Sequence, residues 1–154
     1  MLASPANFFD GLQHVGAVYD FTTGDENMFH DRVSLIRLTA DNFHKRGIAT
    51  DFVILIHGPS TKFVTRSQSG TKFDGEQIAR LSDIRSLLTD LNDSGNARIV
   101  TCGIAMGRHL VLAQNLMPFT TIEDNVAEIS IALQAKGYAY MQVDVMAPNP
   151  VRAP

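Results

Sequence analysis

The sequence predicts an α/β fold, a three-layer α/β/α sandwich around a mainly parallel sheet of about five strands. Three observations carry that prediction. Short apolar runs rich in β-formers alternate with stretches of helical periodicity, the order expected of strand–helix–strand units joined by right-handed crossovers. Within DFVILIH at Asp51–His57 the stretch Phe52–Ile56 is continuously apolar and rich in β-formers, as suits a central strand covered by helices on both faces. With 154 residues, 45% of them hydrophobic and 19% charged, the chain can bury roughly 70% of its unfolded surface in one domain without a disulfide or metal staple.

Residues 1–14 mix Ser, Pro, Asn, Asp and Gly with Phe8 and Phe9 and read as an irregular N-terminal arm whose two aromatics dock at a place the sequence does not specify. A single domain follows over residues 15–146. Gly16–Phe21 (GAVYDF) is a short buried strand, and Thr23-Gly-Asp-Glu26 supplies a capping box for the next helix. That helix spans Asp25–Arg46, where Phe29, Val33, Ile36, Ala40 and Phe43 share one face and Gly47 provides the stop. After the central strand, Gly58–Gly75 reads as a long, partly helical excursion carrying Lys62, Arg66 and Lys72.

A second helix is expected to start at Asp74 with Gln77 in the capping position. Ile78, Leu81, Ile84, Leu88 and Leu91 repeat along it until Gly95. Ala97–Cys102 (ARIVTC) is the next strand, Gly103–Asn115 a helix with Ile104, Val111 and Leu112 on its face, and Met117–Thr120 a short strand. Thr121 is the expected cap of a last helix that turns Val126, Ile129 and Leu133 inward and ends at Gly137. Tyr138–Val145 (YAYMQVDV) alternates as a final strand, and residues 147–154 form a flexible tail.

The balance of charge excludes several classes of partner. A formal net charge of -3 argues against nucleic acid, whose phosphates demand clustered Lys and Arg. The longest apolar stretch, Phe52–Ile56, is far too short to span a bilayer, so no membrane association is expected. The first basic residue is Arg32, and the first 14 residues hold no run long enough for the apolar region of a secretory signal. A cytoplasmic location is therefore expected, in keeping with a single cysteine that has no partner for an internal disulfide.

Five histidines, His14, His30, His44, His57 and His109, accompany that cysteine, but none forms a CxxC, HxxxH or HExxH pattern. No metal site is expected. The chain also lacks a GxGxxG fingerprint, a P-loop and a GxSxG elbow, so no cofactor is expected.

In parallel sheets the ligand crevice lies outside the carboxyl ends of the strands. Two segments place chemistry there: His57-Gly58-Pro59 and Cys102-Gly103. Cys102 sits where a strand gives way to an expected helix, whose free N–H groups and dipole would stabilise a thiolate, the nucleophilic form. Gly103 keeps the adjoining backbone unencumbered, and Arg108 follows as an electrostatic partner. The same position also suits a cysteine that only fills a small core site. His57 can exchange protons near the thiol or simply satisfy the strand terminus, while Lys62 and Arg66 either steer an anion or solvate a loop.

Four stretches resemble the DsrE/DsrF-like (DsrEFH-like) sulfur-relay family: Tyr19–Asn27, Asp51–Val64, Ala97–His109 and Leu116–Val143. The carriers of the likeness are the apolar strand ending in His-Gly-Pro, the cysteine at the next strand end, and the Leu-Gln-x-x-Gly-Tyr-x-Tyr segment. The resemblance implies a flavodoxin-related sandwich that assembles as a homo-oligomer, a trimer or hexamer, and a sulfurtransferase or sulfur carrier. The family's cysteine falls on Cys102, which would hold sulfane sulfur as a persulfide between a donor and an acceptor protein. His57 as a second catalytic group, and Gly58, Lys62, Gly103 and Arg108 as substrate-binding residues, are assigned from position rather than from the family's pattern. The competing reading is a non-catalytic oligomeric module that binds a small ligand in the same crevice, or a scaffold whose task is assembly. Tyr138, Tyr140 and Met141, or Phe8 and Phe9, are the apolar groups such an assembly would bury.

Overall fold

The computed structural model describes residues 7–143. Strands β1 (His14–Phe21), β2 (Ala49–Ile56), β3 (Arg98–Cys102), β4 (Thr120–Glu123) and β5 (Ala139–Gln142) form one sheet in the order β4-β3-β2-β1-β5. Every pairing in it is parallel. Helices α1 (Glu26–Lys45), α2 (Leu81–Asp93), α3 (Gly103–Arg108) and α4 (Val126–Ala135) connect the strands. From β1 the chain marches outward through β2, β3 and β4, then returns to add β5 on the other side of β1. Such a reversal is the topological switch at which open α/β sheets bind ligands.

Strand alternation divides the core into two layers. One face of the sheet turns Ala17, Tyr19, Phe21, Phe52, Ile54, Ile56 and Ile99 toward Phe29, Val33 and Ile36 of α1 and Ile84, Leu88 and Leu91 of α2. The mutually tilted rings of Phe21, Phe29 and Phe63 centre this layer, with centroid separations of 4.9 and 4.4 Å. Each fully buried side chain of this size stabilises the fold by about 1.5–3 kcal/mol. The opposite face, formed by Val18, Val53, Leu55 and Cys102, packs on Ala105 and Val126. Here α4 is the main cover, and it is short: Val126 is its only buried residue, while Ile131 is 67% exposed.

Several boundaries differ from the sequence expectation, each for a local reason. The cap of α1 is Asp25, whose carboxylate accepts from the N–H groups of Asn27 and Met28, so the helix starts one residue later than Asp25. Thr23 instead accepts from the Asp25 N–H. Helix α2 begins at Leu81 rather than Asp74, because Thr71–Glu76 is a run of turns, with Asp74 N–H bonded to Thr71 O and Glu76 N–H to Phe73 O. The expected helix Gly103–Asn115 stops after six residues. Val111 N–H reaches back to Met106 O and Leu110 N–H to Gly107 O, a Schellman ending in which Leu110 takes φ = 56°. Consequently Val111 is buried, whereas Ile104 and Leu112 face outward.

The fourth strand is Thr120–Glu123, not Met117–Thr120. Thr121 therefore lies within it, and Asn125 is the cap of α4 through its Oδ1. The last strand is limited to four residues, Ala139–Gln142. Of the arm, Phe9 packs edge-on against Phe43 with the Arg46 guanidinium over its ring, while Phe8 is exposed. The expected tail, residues 147–154, lies outside the described residues, as does the end of the expected domain. Among the described residues no helix is long and apolar enough to cross a membrane.

Candidate functional site

Because side chains alternate along a strand, Val18 and Asp20 share a face with Val53 and Leu55, and with Val100 and Cys102 on β3. His57 continues that face one residue beyond the end of β2. Register then aligns the ends: Ile56 pairs with Thr101 and Asp20 with both Leu55 and Gln142. The C-terminal ends of β1, β2, β3 and β5 thus bring Asp20, His57, Cys102 and Tyr140 to one cavity of about 550 Å³. Arg108 at the end of α3 and His109 at its C-cap, with Asn125, Val126, Ser130 and Ile131 of α4 and its cap, close the other side.

Cys102 is 6% exposed and its Sγ stands 3.8 Å from the Asp124 carbonyl, toward which the thiol can donate. It occupies the N-cap position of α3 without a side-chain cap bond. His57 is anchored at its backbone by a 3.1 Å bond from its N–H to Phe21 O. Its Nε2 is hydrogen-bonded to Asp20 Oδ1. The second carboxylate oxygen, Oδ2, accepts from the Tyr140 hydroxyl at 2.7 Å. Burial by itself would raise the Asp20 carboxyl, but the bonds from His57 and Tyr140 and the charge of His57 outweigh it and hold the group below its ordinary value. Immediately after His57, Gly58 adopts φ = 56°, a left-handed turn that glycine takes without strain and that swings the chain into the 3₁₀ segment Gly58–Val64.

Of the residues singled out from sequence, Cys102, His57, Gly58 and Arg108 meet at the cavity. Two do not. Lys62 lies buried in the 3₁₀ segment, paired with Glu76 and 5.3 Å from the Phe63 ring centre. Gly103 instead permits close packing: a Cβ there would sit 3.3 Å from the Asp124 Cα. Sequence reasoning missed Asp20 and the role of Tyr140. The available signal was a lone acid near the end of an otherwise buried strand, since a carboxylate in such a place requires partners. Among the described residues no group of three or more His, Cys, Asp and Glu is placed to hold a metal ion.

Comparison with known proteins places this geometry on a shared scaffold. A solved structure of a protein of unknown function, MTH1491 from Methanobacterium thermoautotrophicum, superposes with a TM-score of 0.66 over 83% of this chain and 98% of that one. The two share the fold. At 13% identity the likeness extends to architecture alone. The ychN protein from E. coli aligns over 85% of this chain and 99% of its own at 12% identity, with a looser TM-score of 0.47. In sequence, an uncharacterized protein of Aquifex aeolicus (strain VF5) is 31% identical over 125 residues. That match takes in 81% of this chain but 54% of the other, so the chain spans about half the length of the curated relative it matches. No family model matches the chain.

Proposed function

We propose that the chain is a DsrE/DsrF-like sulfur carrier or sulfurtransferase in which Cys102 holds sulfane sulfur as a persulfide. The observation that supports this reading best is the placing of Cys102 and a carboxylate-bonded His57 at neighbouring strand ends on one cavity. With thiosulfate as donor, the Cys102 proton passes to His57 and the thiolate attacks the outer, sulfane sulfur. A new S–S bond forms to Cys102, the old S–S bond breaks, and sulfite leaves with its electron pair. Arg108, on the exposed rim and without an ion pair to a described residue, attracts the anionic donor. Such chemistry needs no cofactor. A cytoplasmic setting, in which the thiol stays reduced, and donor and acceptor proteins belong to the same reading. So does homo-oligomeric assembly, supported by the exposure of Ile104 and Ile131 at the cavity and of Phe8, Tyr140 and Met141, three of the apolar groups expected to be buried in an assembly.

Intact-mass measurement after treatment with thiosulfate or polysulfide tests the proposal. A +32 Da adduct on the wild type, absent from Cys102→Ser, is expected; no adduct, or the same adduct on both, rejects it. The near-complete burial of Cys102 favours a second reading, in which the cavity binds a small ligand and the thiol only lines it. In that case an anionic ligand such as thiosulfate raises the Tm of wild type and of Cys102→Ala alike.

A further inference from the structure

Two tyrosine–carboxylate pairs are made at β5, one just before the strand and one within it, and their difference is informative. Before the strand, the Tyr138 hydroxyl donates to Asp51, which also accepts two bonds from the Arg98 guanidinium at 3.2 and 2.9 Å. Within the strand, Tyr140 donates to Asp20, and the third member is His57. The first cluster does not line the Cys102 cavity; the second forms part of its wall. Arginine is a permanent cation that exchanges no proton in proteins, so the Asp51 cluster is a clip. A clip at Asp20 would be served equally well by arginine. Histidine there adds a ring that can gain and lose a proton next to the cavity that holds the thiol.

The direction of the bond settles which ring nitrogen is available. An ionised carboxylate only accepts hydrogen bonds, and the Asp20 carboxyl is held in its ionised form by both partners. His57 Nε2 must therefore carry the hydrogen it shares with Asp20. Whenever the ring is neutral, the lone pair is on Nδ1, which makes no hydrogen bond to any described residue. Tyr140 in turn occupies the other carboxylate oxygen and fixes the plane of the carboxyl group.

We infer that Asp20 and Tyr140 are positioning residues that hold His57 as its Nε2–H tautomer, with Nδ1 kept as the base that serves Cys102. The inference rests on the thiol-site reading above and adds to it the pair of residues that orient its base. Asp20 acts through the ring and Tyr140 acts through Asp20; neither needs to touch a substrate. The order is that of the nucleophile–base–orienter chain of thiol and hydroxyl catalysts, with the ring nitrogens exchanged.

The test uses no sulfur donor. Ring ¹⁵N chemical shifts and two-bond couplings of His57 report its tautomer, and the rate of Cys102 alkylation by iodoacetamide at neutral pH reports the base. Wild type is expected to show the Nε2–H form. Asp20→Asn should lose that preference and slow alkylation by about tenfold or more, within the range that general-base assistance supplies. Tyr140→Phe, a change on a half-exposed edge strand that leaves the ring in place, should slow it by a few-fold. In a His57→Gln background, Asp20→Asn should have no further effect, because a residue that works through the ring has nothing left to orient. A wild-type Nδ1–H tautomer, an alkylation rate insensitive to Asp20→Asn, or an equal slowing with and without His57 would each overturn the inference. A wild type that passes this test yet forms no +32 Da adduct upholds the positioning role and rejects only the sulfur chemistry.

Discussion

Gly16 is the position where a single methyl group should do the most damage to the edge of the sheet. A Cβ built on Gly16 falls 2.7, 2.8 and 2.9 Å from the Cδ2, Cε2 and Cγ atoms of Tyr138. Carbon atoms rest at about 3.5–4.0 Å, so the ring must retreat by roughly 1 Å. It is not free to do so, since its hydroxyl is bonded to Asp51 and Asp51 is gripped by Arg98. Overpacking of this kind costs about 1–3 kcal/mol. Breaking the phenol–carboxylate bond would add about 1.5–3 kcal/mol, and the lower entropy of the unfolded alanine chain returns about 0.5–1 kcal/mol. Gly16→Ala is therefore expected to destabilise the domain by about 1.5–5 kcal/mol, the upper end applying if the phenol–carboxylate bond breaks, read as a fall in the urea midpoint at unchanged slope. Tyr138→Ala alone should also destabilise, but in its background Gly16→Ala should become neutral or mildly stabilising. The reasoning fails if Gly16→Ala is neutral in the intact protein, or if the two substitutions add.

Other consequences of the structure are open to equally direct measurement. Phe29→Ala removes the ring between Phe21 and Phe63 and should cost about 3–5 kcal/mol in urea unfolding. Asp25→Ala frees the Asn27 and Met28 N–H groups at the start of α1 and should cost about 1 kcal/mol, restored largely by Asp25→Ser. Burial pushes the Tyr19 phenol up to about 12, so its contribution is intact below its ordinary value near 10 and is lost as pH rises toward 12. Some 2–3 kcal/mol should disappear over that window, and Tyr19→Phe should flatten that part of the profile. Asp20 has the opposite sign: its carboxyl lies below the ordinary range, so its contribution is present above about pH 4 and fades as pH falls through the folded value. Asp20→Asn should remove that segment of the acid limb in a pH series of thermal melts.

What could be read from sequence follows from how locally each feature is encoded. The central strand includes five consecutive buried residues, Phe52–Ile56, and the face of α1 repeats at helical spacing over about four turns; neither needs tertiary information. The end of helix α3 is not legible in the sequence, because its stop lies in a residue with no such reputation. Leu110 adopts the left-handed conformation that glycine takes after α1 and α4, while Gly107, one turn earlier, sits inside the helix. The early start assigned to α2 has a similar origin: Ile78 packs on the core, but from a turn rather than a helix. At the site, Cys102 and His57 stand out because they are rare residues at the ends of apolar runs. Asp20 and Tyr140 come together only when β1 and β5 lie side by side, and the pairing of Lys62 with Glu76 is likewise a product of the folded chain.

The hydrogen bond from Tyr140 to Asp20 joins residues 120 positions apart. Pairing over such a separation is slow to form, because the ends of a long loop must first be brought together. During synthesis, β1 through β4 and the cysteine all emerge before the strand that completes the Tyr140–Asp20–His57 chain. The Tyr140–Asp20–His57 hydrogen-bond chain therefore stays incomplete until the last strand has been made and has docked beside β1, so the cysteine is present in the growing chain before that chain of bonds can close.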